Sequence, residues 1–294
     1  IIGAGGYIAP RHMKAIKDTG NTLIAALDKH DSVGIMDSYF PDADFFTEFE
    51  RFDRHLEKLK RQGSKTDFVS VCSPNYLHDA HIRFGLRIGA NVIRQKPIVL
   101  NPSNIEAYME IEKETGGEVF TILQLRLHPA IIALKEKIAA APADKKHTVN
   151  LQYITSRGHW YHTSWKGDME KSGGIATNIG VHFFDMLLWV FGAVKESKVT
   201  EHTAQTASGQ LELEKANVNW MLSIDANILP DEAKAAGKRT FRTLTIDGEG
   251  FEFSDGFTEL HTKSYEEILR GNGFRIKETK AAIELVHKIR NNKI

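Results

Sequence analysis

The sequence has few features of a secreted, membrane-bound or nucleic-acid-binding protein. Only one of its 294 residues, Cys72, is a cysteine, so no disulfide can form within the chain, as is typical of a reducing compartment. Lys+Arg and Asp+Glu both number 38, which leaves no basic excess for binding nucleic acid. No apolar run reaches the roughly 18–20 residues that cross a bilayer. We therefore expect a cytoplasmic protein that binds neither nucleic acid nor membrane.

Metal-binding patterns are scarce as well. His159 and His162 lie three residues apart, but neither an HExxH motif nor a cysteine cluster accompanies them. A structural or catalytic zinc site needs at least three protein ligands. We therefore expect no metal.

Apolar strands alternate with helices through the first part of the chain. Apolar segments at 23–27, 68–72, 91–93 and 119–125 are separated by helical segments at 10–19, 78–88 and 101–115. Strands that are apolar throughout indicate a parallel sheet covered by helices on both faces. The sequence therefore predicts an α/β domain with a doubly wound parallel sheet over residues 1–124.

The pattern changes after about residue 125. Segments of alternating polarity follow at 148–155, 198–204, 211–213, 216–224, 241–247 and 250–254, with a helix at 180–191 between them. Alternation indicates strands with one face buried, so we predict an α+β domain over 125–294 with a large, mainly antiparallel open sheet. A last helix, at 276–290, is a candidate for packing back on the first domain. We also expect homo-oligomerisation through the exposed face of this sheet.

A glycine loop opens the chain. Gly3 and Gly5 follow a buried strand and precede a helix, the context that a dinucleotide-binding loop requires. The first glycine permits the tight turn, and the second lets the backbone approach a pyrophosphate. Asp28 ends the second strand, where a carboxylate accepts hydrogen bonds from ribose hydroxyls and repels a 2′-phosphate. These residues favour a Rossmann domain that binds NAD (NAD+/NADH) over NADP; the alternative is a glycine turn without a ligand.

Two further segments follow strands of the same predicted sheet. Ser73-Pro74-Asn75 and His78 come after one strand, at the edge where doubly wound sheets bind ligands; an Asn/Pro turn with a capping role is the alternative. Lys96 follows the next strand and precedes a proline, which restricts it to an extended conformation. A free lysine has a pKa of about 10.4, and burial beside a positive nicotinamide ring would lower it. Lys96 is therefore a candidate base, or else a solvated loop lysine.

A histidine motif lies in the second part of the chain. Asn178 and His182 are four residues apart, so on a helix they share one face, and Asp185 is three residues beyond His182. The preceding pair Gly173-Gly174 allows close approach of a ligand to the backbone. Because a histidine has an unperturbed pKa near 6.5, it relays protons at neutral pH; a satisfied core histidine is the alternative.

Taken in order, these motifs resemble the Gfo/Idh/MocA oxidoreductases over essentially the whole chain. That family typically has Glu-Lys-Pro and Asp-x-x-x-His, where this chain has Gln95 and Asn178. The resemblance implies that Lys96 is the catalytic base or proton relay and that His182 binds or helps to deprotonate the reacting hydroxyl. It implies that Asn178 orients a sugar hydroxyl. The cofactor-binding residues that we predict are Gly3, Gly5, Tyr7, Ile8, Asp28, Ser73, Pro74, Asn75, His78, Gln95, Lys96 and Gln124.

Segments 7–12, 124–129, 160–167 and 174–185 are similar to one subfamily, the UDP-N-acetyl-2-amino-2-deoxyglucuronate 3-dehydrogenases of bacterial O-antigen (lipopolysaccharide) sugar synthesis. The resemblance implies a UDP-sugar uronate substrate that is oxidised at its 3-hydroxyl, a tetramer, and 2-oxoglutarate as a candidate for NADH reoxidation. The uronate and the diphosphate need cations, and arginine suits carboxylates. The predicted substrate-binding residues are Arg126, Arg157, Tyr161, Lys166, Asn178 and His182.

Two alternatives remain open. A different sugar or inositol dehydrogenase of the same family would not need Arg126 and Lys166, since its substrate would carry neither carboxylate nor diphosphate. A non-catalytic NAD(H)-binding sensor is an alternative of another class, and it is suggested by Gln95 in place of the family's glutamate.

Overall fold

The computed structural model describes residues 1–31, 34–253 and 259–291. It divides into two compact units. The first comprises Ile1–Gln124 and Phe257–Lys280, and the second comprises Leu125–Gly256 and Ala281–Ile294.

The first unit is a parallel sheet with helices between its strands. Its elements are α1 (Ala9–Asp18), β1 (Ala25–Leu27), α2 (Gly34–Tyr39), β2 (Asp44–Phe46), α3 (Phe49–Arg61), β3 (Phe68–Val71), α4 (His78–Arg87), β4 (Asn91–Arg94), α5 (Ser103–Thr115) and β5 (Val119–Thr121). Strand β1 pairs with β2, and β4 pairs with β3 and β5, all in parallel. Ile2 forms parallel bridges to Leu27 and Val71, which join the two sets in the order β2, β1, Ile2, β3, β4, β5. The predicted doubly wound parallel sheet is confirmed.

Apolar side chains on both faces of the strands explain this arrangement. Val69, Val92 and Val119 are each at most 2% exposed, as are Met13 and Ile82 on the covering helices. Full burial of such a side chain stabilises the folded state by about 1.5–3 kcal/mol. Because both faces are covered, the positions left for ligands are the ends of the strands.

The second unit contains one large mixed sheet. Its elements up to residue 250 are α6 (Pro129–Ala140), β6 (His147–Thr155), α7 (His159–Thr163), α8 (Met169–Ser172), α9 (Val181–Phe191), β7 (Val194–His202), β8 (Thr206–Leu213), β9 (Ala216–Ser223), α10 (Asp231–Ala235), β10 (Thr240–Ile246) and β11 (Glu249–Gly250). The strand order is β11, β10, β6, β9, β8, β7. Strands β6 and β9 run in parallel, and the other pairs are antiparallel. The predicted mainly antiparallel sheet is thus confirmed. The predicted strand 250–254 was wrong at 251–253, because the strand β11 already ends at Gly250; residue 254 lies outside the described residues.

One face of this sheet packs against α9. The ring of Phe184 meets Trp220 of β9 edge-on, with centroids 5.1 Å apart, and Gly180 lies so close to the sheet that an added Cβ would be 2.5 Å from Leu222. On the opposite face the exposed side chains are polar, and Asn219 donates a hydrogen bond to Asn150 across the strands at 3.1 Å. The polar and apolar alternation of the sequence therefore marks the two faces of the sheet.

The helical run from Met169 to Phe191 is longer than the helix predicted at 180–191. Helix α8 ends at Ser172 with Gly173 in the left-handed conformation, and a π-helical turn, Ala176–Gly180, then leads into α9. In the described part of the chain this run alone is long and apolar enough to cross a membrane by length and composition, but 72% of its most apolar window is buried inside the protein. Such burial is typical of a core helix.

Two helices close the described chain. Helix α11 (Leu260–Leu269), which the sequence analysis missed, packs on α1 in the first unit, and its Tyr265 and Ile268 join Met13 and Ile16 in that unit's core. A 3-10 turn, Ile276–Thr279, then leads into α12 (Lys280–Asn291) where a single helix at 276–290 was predicted. From Ala281 onward this last helix belongs to the second unit.

Candidate cofactor and substrate sites

The glycine loop is shaped by its first glycine. Gly3 has a φ of +87°, and an added Cβ would lie 2.7 Å from the backbone of Cys72 and Ser73. Its N–H donates to Leu27 O at 2.7 Å, and Gly6 N–H donates back to Gly3 O at 3.0 Å. Both the left-handed conformation and the contact with the neighbouring chain require glycine at this position.

We expect a Gly3→Ala substitution to weaken NADH binding about 5-fold to 160-fold, since strain of about 1–3 kcal/mol would distort the loop. Gly20→Ala is the matched control, because Gly20 also has a positive φ, +73°, but has no atom near the added Cβ. Titration by NADH fluorescence measures both. Equal affinities for the two variants would contradict the assignment of this loop to the cofactor.

Asp28 is tied to the same loop. It follows β1, and its Oδ2 accepts a hydrogen bond from Gly5 N–H at 2.9 Å while Oδ1 accepts from His30 N–H at 3.0 Å. The carboxylate is therefore held at the loop by two amides. This arrangement suits the predicted contact with ribose hydroxyls.

The segment after β3 is fixed by buried polar contacts. His78, 2% exposed, donates from Nε2 to Ser73 O at 2.7 Å, and its Nδ1 accepts from the Arg94 guanidinium. Burial and, second, the positive charge of Arg94 place the pKa of His78 well below its usual value. His78 is therefore neutral near neutral pH, and it pins the turn on which Pro74 and the buried Asn75 lie.

The end of β4 carries three consecutive polar residues. Arg94 is fully buried and donates to Pro97 O. Gln95 is hydrogen-bonded to His261 of α11 through their side chains. Lys96 is 7% exposed, and its bond to Pro97 is cis.

The structure brings most of the predicted cofactor residues to one edge of the first sheet. The glycine loop follows Ile2, Asp28 follows β1, the Ser73 segment follows β3, Lys96 follows β4 and Gln124 follows β5. Carboxyl ends of parallel strands share an edge, which is where such sheets bind ligands. Within the loop, Ile8 is half-buried and packs on the core, whereas Tyr7 is 85% exposed.

Sequence reasoning missed the buried polar cluster beneath this edge. The Tyr265 hydroxyl is hydrogen-bonded to His12 Nδ1 at 2.8 Å and to Ser70 Oγ at 2.7 Å, and the rings of His12 and His261 meet edge-on at 5.6 Å. His261 and Tyr265 are four residues apart, so they share one face of α11. That spacing is the sequence signal that would have pointed to the helix.

In the second unit, the histidine motif lies in the long helical run. Asn178 lies in the π-helical turn, and its Nδ2 donates to the Tyr161 hydroxyl at 3.1 Å. His182 lies in the first turn of α9 and is half-buried. Gly173 and Gly174 have φ values of +79° and +74°. The structure thus places Asn178 in contact with Tyr161, another predicted substrate-binding residue. The position of Asn178 in a π-helical turn is in keeping with such a role, because these turns are frequent at functional sites.

The predicted substrate cations differ in their surroundings. Arg126 donates to both carboxylate oxygens of Asp185, from Nε at 3.1 Å and from Nη2 at 2.8 Å, and the two side chains are 9% and 1% exposed. An internal carboxylate therefore lies against its charge, and the role of Arg126 in binding the substrate stays a prediction. Asp185 of α9 is thereby tied to the segment before α6.

Lys166 and Arg157 remain the stronger cation candidates. The Lys166 ammonium lies over the rings of Trp165 and Trp160, at 4.5 and 5.7 Å from their centroids. Burial lowers the pKa of Lys166, and the positive charge of Arg157 lowers it further. Two neighbouring positive side chains of this kind are suited to binding an anionic group of a ligand.

No group of three or more metal-ligating side chains occurs in the described ranges 1–31, 34–253 and 259–291. His159 and His162 are both exposed on α7.

Comparisons with known proteins agree with this geometry. Residues 1–122 match the family model described as an oxidoreductase family with an NAD-binding Rossmann fold, and residues 145–227 match its C-terminal α/β domain. The crystal structure of the WlbA (WbpB) dehydrogenase from Thermus thermophilus with NAD and α-ketoglutarate is 48% identical, with a TM-score of 0.96, and covers 100% of this chain and 94% of that one. The same enzyme with NAD and UDP-GlcNAcA gives 47% identity and a TM-score of 0.95, with the same coverage.

Curated relatives are more distant. D-glucoside 3-dehydrogenase of Escherichia coli (strain K12) is 23% identical over 146 residues, 50% of this chain and 42% of that protein. YteT of Bacillus subtilis (strain 168), named as an oxidoreductase, is 28% identical over 131 residues, 44% of this chain and 31% of that protein. The match thus spans less than half the length of these curated relatives. Since both domain models match in order and the Thermus structures align over the whole chain, the chain belongs to the Gfo/Idh/MocA family of oxidoreductases with an NAD-binding Rossmann domain.

Proposed function

We propose that this protein oxidises the 3-hydroxyl of UDP-N-acetylglucosaminuronic acid to the 3-keto sugar with NAD. The observation that carries the proposal is the 47% identity, over the full chain, to a dehydrogenase crystallised with NAD and UDP-GlcNAcA. The exposed Arg157 and the half-buried Lys166 of the second unit supply positive charge suited to a uronate or a diphosphate. An inositol dehydrogenase would have no use for these cations.

The predicted residues have distinct tasks in this reaction. NAD, when bound, supplies the hydride acceptor for C3 of the sugar. Lys96 takes the proton of the 3-hydroxyl, and its burial limits exchange of that proton with water. His182 binds the hydroxyl, and Asn178, whose amide is oriented by Tyr161, orients the sugar. An asparagine cannot act as a base, so proton transfer is left to the lysine.

We also propose how NADH is reoxidised, where the protein is located, how many subunits it has and which synthesis it serves. The Thermus enzyme was crystallised with α-ketoglutarate, which supports 2-oxoglutarate as the oxidant that returns NADH to NAD by becoming 2-hydroxyglutarate. The single reduced cysteine supports a cytoplasmic location. The half-exposed sheet of the second unit supports a homo-tetramer, and a 3-keto nucleotide sugar suits O-antigen (lipopolysaccharide) synthesis.

The direct test is NADH formation from NAD and UDP-GlcNAcA, followed by absorbance with and without 2-oxoglutarate. UDP-N-acetylglucosamine, which lacks the carboxylate, and myo-inositol are the matched substrates. Oxidation of the uronate alone, even as a single turnover of bound NAD, supports the proposal. Faster oxidation of myo-inositol would favour another dehydrogenase of the family, and tight NADH binding without oxidation of any sugar would favour a sensor.

Asp28 provides a test of cofactor choice. We expect Asp28→Ala to lower the preference for NAD over NADP about tenfold or more, because hydrogen bonds to a charged group contribute about 1.5–3 kcal/mol and the carboxylate repels a 2′-phosphate. Loss of the Gly5 contact will weaken the binding of both NAD and NADP. The quantity to compare is therefore the ratio of their two dissociation constants. Asp42→Ala, at an exposed carboxylate of the same unit, should leave that ratio unchanged. An unchanged ratio in Asp28→Ala would assign cofactor choice to another residue.

A further inference from the structure

Gln95 directly precedes Lys96, and its side chain contacts a helix that is distant in the sequence. Its amide is hydrogen-bonded to Nε2 of His261 on α11. His261 is 2% exposed and Gln95 is half-buried, so the contact is partly shielded from solvent. A bond at Gln95 restrains the backbone from which the Lys96 side chain departs.

Helix α11 is itself firmly anchored where it carries His261. One turn further on, the buried Tyr265 hydroxyl is hydrogen-bonded to His12 of α1 and Ser70 of β3, at 2.8 and 2.7 Å. Thr262, between them, donates to Asp18 Oδ2 at 3.0 Å. Rotamers held by packing and by further hydrogen bonds are what a precise supporting contact requires.

The surroundings of this contact favour uncharged side chains. Burial lowers the pKa of His261 to about 4, with Arg11 of α1 as the second cause. Burial also places the pKa of the neighbouring His12 well below its usual value, and His261 and Arg94 lower it further. Tyr265, which is hydrogen-bonded to His12, has its pKa raised by burial. Near neutral pH, Gln95 and His261 therefore form a neutral hydrogen-bonded pair.

We propose that His261 is a positioning residue for Lys96, which acts through Gln95 and keeps the position beside the lysine free of negative charge. The inference rests on the proposed function, in which Lys96 takes the substrate proton. A neutral pair at this position fixes the lysine without attracting its ammonium form. A carboxylate at position 95 would favour that ammonium form and raise the pH at which the lysine becomes a base.

A double-mutant cycle tests the first part. We expect His261→Ala and Gln95→Ala each to lower kcat for UDP-GlcNAcA oxidation by about tenfold to a hundredfold, as misplacement of a catalytic group does. In the Gln95→Ala background, His261→Ala should have no further effect, since its route to Lys96 is already lost. Lys263→Ala, at an exposed lysine of the same helix turn, is the control for stability and should keep its kcat. If the two alanine substitutions lower kcat independently, so that their fold-losses multiply in the double variant, the proposal is overturned.

A second measurement does not depend on activity. Acetic anhydride labelling of Lys96 across pH, read by mass spectrometry of its peptide, reports where the amine loses its proton, and the exposed lysines serve as internal references. We expect Gln95→Glu to raise the midpoint for Lys96 by about one pH unit or more, while the reference lysines stay unchanged. An unchanged midpoint would overturn the charge argument. If the wild type binds NADH but oxidises no sugar, the proposed function fails, and the labelling still decides this proposal.

Discussion

Replacing Lys96 by alanine is expected to lower kcat for UDP-GlcNAcA oxidation by about 100-fold to 10,000-fold, the usual contribution of a positioned general base. The side chain is buried, at 7% exposure, so water has little access to take its place. The binding of NADH should change much less, because the glycine loop and Asp28 are untouched. Stopped-flow absorbance of NADH and fluorescence titration measure the two effects separately.

Chemical rescue makes this test sharper. Small primary amines such as ethylamine should restore part of the activity of Lys96→Ala, since they fill the space and supply a base. Lys58→Ala, at an exposed lysine of α3 in the same unit, is the matched control and should behave as the wild type. If Lys96→Ala retained its rate, the proton would have to leave through another group, and His182 would be the next candidate.

The organisation of the cofactor edge was predictable from the sequence for a physical reason. Apolar strands must be covered on both faces, so polar residues that follow several such strands meet at one edge. Gly3, Asp28, Asn75 and Lys96 were all found in this way. The local chain order was sufficient because each residue lies directly after its own strand.

Contacts between distant segments were not predictable. His261 and Tyr265 lie on α11, and their partners Gln95 and Ser70 are 166 and 195 residues away. Nothing in the local pattern of residues 260–269 indicates that they complete the first unit. The ion pair between Arg126 and Asp185 was likewise not predicted, because residue type shows a charge but not the carboxylate that lies against it.

The pair of Arg126 and Asp185 yields the largest expected effect on stability. Asp185→Ala should lower the free energy of unfolding of the second unit by about 3–5 kcal/mol, because removing one partner leaves a buried and uncompensated charge. Asp231→Ala is the control, since Asp231 forms an exposed pair with Lys234 at 3.6 Å and such pairs contribute about 0–1 kcal/mol. The protein's four tryptophans, Trp160, Trp165, Trp189 and Trp220, lie in the second unit. Urea denaturation followed by tryptophan fluorescence therefore reports on this unit.

A double variant separates loss of the pair from loss of packing. Arg126→Met combined with Asp185→Leu should recover most of the stability lost in Asp185→Ala, because an apolar pair of similar volume removes the buried charge altogether. If Arg126 also binds the uronate, the double variant will be stable but will show a raised KM for UDP-GlcNAcA. If its role is to hold α9 through Asp185, KM will stay near the wild-type value. A stable Asp185→Ala protein would show instead that water or another anion compensates Arg126, and the guanidinium would return as a candidate for the substrate carboxylate.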